Sequence, residues 1–460
     1  MMQDNEKYTL YITCSASFVT PFIGNAIYLA IPDIGITYQA STLLLSWVLI
    51  SYLLASAAFL LPFGRLADII GYKRLFIIGH LLSFFSSFLC AYAWSIQWLI
   101  IFRVMHGISA ALIFSTAMAI LTSVFPPEAR GKVLGINAAT VYLGLSFSPV
   151  VGGFLTYKWG WTSIFLLSGI LCFIIFLLTI TKLKGEWVGS LGDSFDWHGS
   201  TLYIIGLSAF LYGLSSLHWH WTSWLSILAG LLLLLIFIRH ELRVDSPLLP
   251  LHLLKRNRSF TYSNLAALTN YAATFAIIFL LSLYLQSLLH LDSKTTGLIL
   301  LSQPIIMTAV SPFAGYLSDR TDAKKTSSWG MIICMISLFF FALINLNTPT
   351  YLIVANLILS GIGFGLFASP NNNVIMGSVE KRFYGMASSA LASMRLIGMS
   401  ISMALATLIL DNYVGTVQLS AASPDQLLTG IRTAFAIFTL VCLLGVIATW
   451  QKEKLGKESL

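Results

Sequence analysis

Fourteen apolar runs, each long enough to cross a bilayer as a helix, are strung together by short polar turns. They lie at 8–31, 42–63, 75–93, 97–122, 133–156, 161–182, 199–217, 222–239, 259–287, 295–317, 327–346, 350–370, 385–410 and 430–450. A hydrocarbon core of ~30 Å takes ~20 residues of helix. In lipid a segment must satisfy its own backbone polar groups, so runs of this length predict helices. The fold class expected is therefore an all-α polytopic membrane protein. Only 10% of the residues are charged, against about 25% in soluble domains. That is too few to cover a soluble core of this size. The first run exceeds the ~7–15 apolar residues of a signal peptide and leads straight into further spans.

Basic residues fix the orientation. With the N-terminus cytoplasmic, 21 of the 26 Lys and Arg fall in cytoplasmic loops. The other side holds Lys158, Lys294 and Arg432, while Arg103 and Arg395 lie inside spans. By the positive-inside rule both termini are cytoplasmic, and the plasma membrane is the expected location. The formal net charge of +8 is thus topology, and no nucleic-acid partner is expected. All five cysteines fall within spans, which excludes a loop disulfide or metal framework. No nucleotide loop, metal cluster or nucleophile–base pair is present, so no cofactor, no metal and no enzyme activity are expected, and ATP drive is excluded.

One charged hairpin has an echo. "PFGRLADIIGYKR" (62–74) matches "PFAGYLSDRTDAKK" (312–325) with one inserted residue. Gly64 aligns with Gly315, Asp68 with Asp319, and Lys73 and Arg74 with Lys324 and Lys325. Further on in each half, "RGKVLGINAATVYLG" (130–144) parallels "YGMASSALASMRLIG" (384–398). The chain reads as an N-terminal six-helix bundle (1–184), two inserted spans with flanking loops (185–250) and a C-terminal six-helix bundle (251–460). Parallel repeats of this kind are a transporter architecture, with the solute site at the midplane between halves.

These residues resemble the major facilitator superfamily, and more narrowly its fourteen-span drug:proton antiporter branch. Gly64, Leu66, Asp68, Gly71 and Lys73 match the cytoplasmic signature between spans 2 and 3. "RVMHGISAA" (103–111) matches the Arg–Gly signature of span 4. "GLSFSPVVGG" (144–153) matches the span-5 antiporter motif, with Ser148 where Gly usually precedes the Pro. "FDWHG" (195–199) and "SPLLPLHLLKRNRSF" (246–260) resemble the flanks of the inserted spans, and "SPNNNVIMGSVEKRFYGMASSALASMRLIG" (369–398) the span 12–13 region. The resemblance implies a major facilitator fold of two six-helix bundles plus two inserted helices, 14 spans in all.

Each motif has a physical reading. Lys73 and Arg74 hold a loop on the cytoplasmic side, but topology does not ask for the acid Asp68. It can accept from Arg65 or Arg74, or sit against the positive end of a span in the other half. The resemblance implies the last: a cytoplasmic gate made by Gly64, Asp68, Gly71, Lys73 and Arg74, with Gly315, Asp319 and Arg320 as its weaker copy. In the antiporter motif, Gly144, Pro149, Gly152 and Gly153 suit a helix that bends and packs closely, and neighbours must re-satisfy the carbonyl that Pro149 frees.

Polar groups at membrane depth cost free energy unless they face protein or water. Asn25, Tyr28, Arg103, His106, Asn270, Tyr271 and Asn356 lie in spans 1, 4, 9 and 12, which line the cavity in this superfamily, and Arg395 lies in span 13. They are the candidate substrate cavity; the bland alternative is helix glue. No Asp or Glu lies deep in any span, and Ile23 stands where the branch usually has a span-1 Asp. Two buried arginines instead suggest either structural groups bonded to carbonyls or an electropositive cavity. The coupling candidates are His106, which titrates near neutrality in water, and the gate-proximal Asp33 and Asp68.

A secondary active transporter exporting hydrophobic or amphiphilic small molecules by alternating access is therefore expected. Protons, membrane lipid and a small-molecule substrate would be its partners, and a monomer its functional form. The alternatives are a uniporter or exporter of an anionic metabolite or lipid-like solute, and a non-transporting receptor on the same fold.

Overall fold

The computed structural model describes residues 4–189, 194–216, 221–244, 247–248, 257–320, 322–379, 384–415 and 423–457. Helix α1 (Asp4–Ala26) runs through a 3-10 turn (Ile27–Ala30) into α2 (Ile31–Tyr38). Then follow α3 (Thr42–Ile70), α4 (Tyr72–Ala91), α5 (Ile96–Val124), α6 (Pro127–Trp159) and α7 (Thr162–Lys182). The inserted pair is α8 (Trp197–Ser215) and α9 (Trp221–Glu241). The rest comprises α10 (Arg258–Thr274), α11 (Ile277–Leu283) with a π turn (Tyr284–Leu288), α12 (Ser293–Leu300), α13 (Ser302–Arg320), α14 (Ala323–Ala342), α15 (Thr350–Gly377), α16 (Tyr384–Val414) and α17 (Pro424–Lys457).

Local chemistry sets the ends. Ser41, Ser95, Asp196, Asn257 and Asp292 accept from amides of the first turns they precede, supplying partners that a helix start lacks. Gly71 (φ +118°) and Gly160 (φ +80°) end α3 and α6 in backbone conformations that L side chains avoid. Asp292 stands in the turn before α12, and hydrogen bonding from the Thr295 amide holds its carboxyl below the usual carboxylate range.

Among the described residues twelve helices are long and apolar enough to cross a membrane, not the expected fourteen. The two outside that set are α6 and α8. Helix α8 has only 19 residues and opens on His198, Ser200 and Thr201, which shortens its apolar run. For α6, the side chains at 127–132 lie outside the described residues, as do those of Asp319 and Arg320.

Glycines bring helices together backbone to backbone. A Cβ on Gly144 would overlap Phe18 O, and one on Gly152 would stand 2.7 Å from Ala26 O. The two contacts are eight residues apart on both helices, so α6 runs alongside α1 in the same direction. Gly206 faces Leu234 while Gly213 faces Ile227, so α8 and α9 run antiparallel. Helix α8 sits over the seam where α3 meets α16. Ala57, Ala58 and Leu61 of α3 share a core there with Tyr203, Leu207 and Leu211, flanked by Leu396, Ile397 and Ile401. Helix α9 leaves Leu225, Leu228, Leu232 and Leu235 exposed, as a face toward lipid would be. The α3–α4 hairpin marks one end of the molecule; the turns after α2 and α6 mark the opposite, far end.

Candidate functional site

Two places, the hairpin and the far end, gather many of the residues singled out in the sequence. At the hairpin, Asp68 accepts from Tyr72 Oη at 2.7 Å and lies 4.0 Å from Arg65 Nη1. The segment 183–189, which follows α7, lies across it. Gly189 N donates to Asp68 O (2.9 Å), Tyr72 N to Trp187 O (3.0 Å) and Lys73 N to Glu186 Oε1 (2.9 Å). Lys73 Nζ donates to Leu183 O, and Arg74 pairs with Glu186 at 3.8 Å. Gly71 is needed here, because a Cβ would overlap the Glu186 carboxylate. Gly64 is not pressed: a Cβ would meet only Ser115 Cβ at 3.9 Å, whereas one at Gly315 would meet Ser369 Oγ at 3.0 Å. Lys73 and Arg74 therefore hold a strap as well as a charge. Glu186 escaped the sequence reading, although it is an acid in a basic loop, the same signal that singled out Asp68.

The far end is a seam. Tyr28 is buried, with its ring 6.0 Å from Phe275 and 6.5 Å from Phe279. Ser282 Oγ donates to Tyr28 O and Gln286 Nε2 to Leu29 O, each at 3.3 Å. A Cβ on Gly153 would overlap Ser293 O, and one on Gly297 would overlap Pro149 O. The antiporter motif thus joins α6 to α1 and to α12. Helix α6 stays continuous through Pro149, so the motif serves close approach rather than a break. Asn25 donates to Pro21 O within α1, and Asp33 sits half-buried in the first turn of α2.

The remaining polar residues separate by helix face. Arg103, fully buried, donates from Nε to Val48 O (3.0 Å) and stacks 4.3 Å from the Tyr52 ring centroid. Its Nη1 is 3.5 Å from His106 Nδ1, and His106 Nε2 is 3.4 Å from Ser87 Oγ. With the guanidinium donating to Nδ1, the ring proton belongs on Nε2. Asn270 turns inward and donates to Met331 Sδ (3.1 Å). Its neighbour Tyr271 turns the other way, 5.7 Å under the Arg395 guanidinium and edge-on to Phe364 at 5.3 Å. Arg395 Nη2 donates to Asn372 Oδ1 at 2.6 Å. Asn356 lies apart from all of these. It exchanges hydrogen bonds with Ser337 and lines a groove of about 1020 Å³ beside the α14–α15 turn. In the C-terminal half Tyr271, Phe364, Asn372 and Arg395 form one contact cluster, the candidate site there. Asn372 and Phe364 were missed; the Asn371–Asn373 run was the available signal.

The sequence profile of the Major Facilitator Superfamily matches residues 13–189 and 264–459. The riboflavin transporter RibZ of Clostridioides difficile is 29% identical over 440 residues, 96% of each chain. The multidrug resistance protein Stp of Mycobacterium tuberculosis is 27% identical over 92% of this chain and 80% of its own. Among solved structures, a bacterial homolog of the human lysosomal transporter Spinster superposes with a TM-score of 0.71 at 14% identity, over 99% of this chain and 98% of that one.

Proposed function

The chain belongs to the Major Facilitator Superfamily, and from that premise we propose that it exports hydrophobic or amphiphilic small molecules in exchange for protons, by alternating access. It is a transporter and a multi-pass membrane protein, not an enzyme. We place it in the plasma membrane with both termini and the α3–α4 hairpin cytoplasmic, as the basic loops support. We also count fourteen crossings, in the manner of the drug:proton branch, with halves 1–184 and 251–460 around the insertion. In support, α6 runs beside α1 and α8 beside α9, and α1 and α9 both belong to segments long and apolar enough to cross.

One observation carries the reading. The far-end seam is closed by glycine-to-carbonyl approaches and few hydrogen bonds. Such a seam parts without leaving many buried polar groups unsatisfied. Parting it while the hairpin end closes exposes the Arg395–Tyr271 site to one side and then the other. The multidrug name of Stp favours broad efflux. The match to RibZ along both chains favours a second reading, a carrier of a flavin-sized solute or other metabolite.

The test is accumulation in expressing cells of cationic, neutral and anionic dyes, with riboflavin in the same panel. Efflux of at least one dye class that stops when the proton gradient is collapsed supports the exporter. Net riboflavin uptake with no dye efflux selects the second reading. If expressing and control cells accumulate all of them equally, both readings fail.

A further inference from the structure

We propose that Arg395 reads the solute, and that the class it selects is a planar aromatic acid bound as its anion. This deepens the exporter reading above and rests on it.

Arg395 lies eleven residues past Tyr384, at the start of α16, or ~16 Å along at ~1.5 Å per residue. Its partner Asn372 stands five residues before the end of α15 at Gly377, so the pair lies inside the helical bundle, toward the end that carries the α3–α4 hairpin. A cation at this depth is costly and needs a partner. Those around Arg395 are neutral: Asn372 Oδ1 at 2.6 Å and the Tyr271 ring at 5.7 Å. No ion pair among the described residues includes it. Its Nε is buried and finds no acceptor. The site therefore holds a whole positive charge and an unspent N–H donor.

Its geometry is fixed from outside. Asn371 donates to Ser263 O of α10 (3.1 Å), Asn373 to Ser318 Oγ of α13 (2.7 Å), and Asn372 receives Arg395 of α16. Three successive side chains of α15 thus tie it to three neighbouring helices, and the middle one aims the guanidinium. A guanidinium held in place is pre-organised for a planar carboxylate. The Tyr271–Phe364 pair supplies an aromatic wall beside it, which favours a flat ring over a branched chain. A cationic solute would meet a like charge at Arg395, which has no ion-pair partner among the described residues.

The experiment uses the purified full chain in detergent and two probes of one shape, 7-methoxycoumarin-3-carboxylate and its neutral carboxamide. Equilibrium binding is read by probe fluorescence in wild type, Arg395→Gln and Arg395→Lys, all checked for monodisperse elution. A charge-assisted bond predicts about ten-fold preference for the acid in wild type. That ratio should fall to near one in Arg395→Gln and recover in part in Arg395→Lys. Equal affinities for acid and amide in wild type overturn the proposal, as does a ratio that survives Arg395→Gln. The dye screen separates the two failures. Efflux of cationic or neutral dyes without acid preference sinks this inference alone; efflux of none sinks the exporter reading, whatever binds.

Discussion

Ser148 Oγ donates to Leu145 O at 2.8 Å. Leu145 O is the carbonyl that Pro149, having no N–H, leaves without its helical partner. The residue that departs from the usual antiporter motif therefore repairs the backbone within its own helix. Replacing Ser148 by Ala should strand that carbonyl at membrane depth and cost about 1–3 kcal/mol. Ser148→Thr, which keeps the hydroxyl, should recover most of the loss. Thermal unfolding of the purified variants checks this; equal melting of the Ala and wild-type proteins would show that the bond contributes nothing.

Gly153 tests the seam. Its missing side chain lets α6 meet Ser293 O of α12, and Ala there must push the two apart. Spin labels at Ile36 and His290, both exposed near the far end, should report a longer distance in Gly153→Ala than in the parent. Transport should fall at least several-fold, since a far end that cannot close stalls the cycle. An unchanged distance distribution would mean that α12 yields elsewhere.

The hairpin prediction concerns Asp68. Asp68→Asn keeps an acceptor for Tyr72 but weakens the contact to Arg65, whose side chain is mostly buried. Efflux should slow at equal expression, and by more than in Asp319→Asn. Similar or negligible losses in both would make Asp68 an ordinary loop acid. Glu186→Gln should slow efflux too, because the strap over Lys73 and Arg74 loses its charge.

Orientation is checked by thiol labelling. All five native cysteines are buried and can be removed. A single cysteine at Lys158 should react with an impermeant reagent in intact cells, while one at Lys73 or Lys324 should stay protected. Strong labelling at Lys324 would overturn the two-half arrangement.

Most of the helices were legible because a bilayer imposes one length and one composition on every crossing. What each polar side chain faces was not. Asn270 and Tyr271 are adjacent in sequence, yet one turns to Met331 inside the half and the other to Arg395. Near-uniform hydrophobicity leaves no amphipathic stripe to separate those faces. Asn356 shows the same limit: its span suggested the cavity, and its packing put it beside Ser337 in a different groove. Glu186 was visible as an acid in a basic loop, but its partner needed the fold, since only the crossing of the 183–189 strap brings it to Lys73.

Coupling is the sharpest question, because no carboxylate lies deep in a span and His106 is held by a cation. Arg103 Nη1 sits 3.5 Å from its Nδ1, and Ser87 Oγ 3.4 Å from its Nε2. A proton arriving at Nδ1 takes the lone pair that faces Arg103, so the contact between Arg103 and His106 must break. Protonation and a shift of Arg103 are then one event, which is how a titration at His106 would be felt by the helices around it. His106→Gln keeps an acceptor for Arg103 and a donor for Ser87 but removes the titration. If His106 is the proton site, this variant should abolish the pH dependence of efflux in proteoliposomes while solute still binds. Substrate-driven proton movement decides the matter. If wild type moves solute with no proton flux, the protein is a facilitator. If flux persists in His106→Gln, coupling belongs to Asp33, Asp68 or a water path instead.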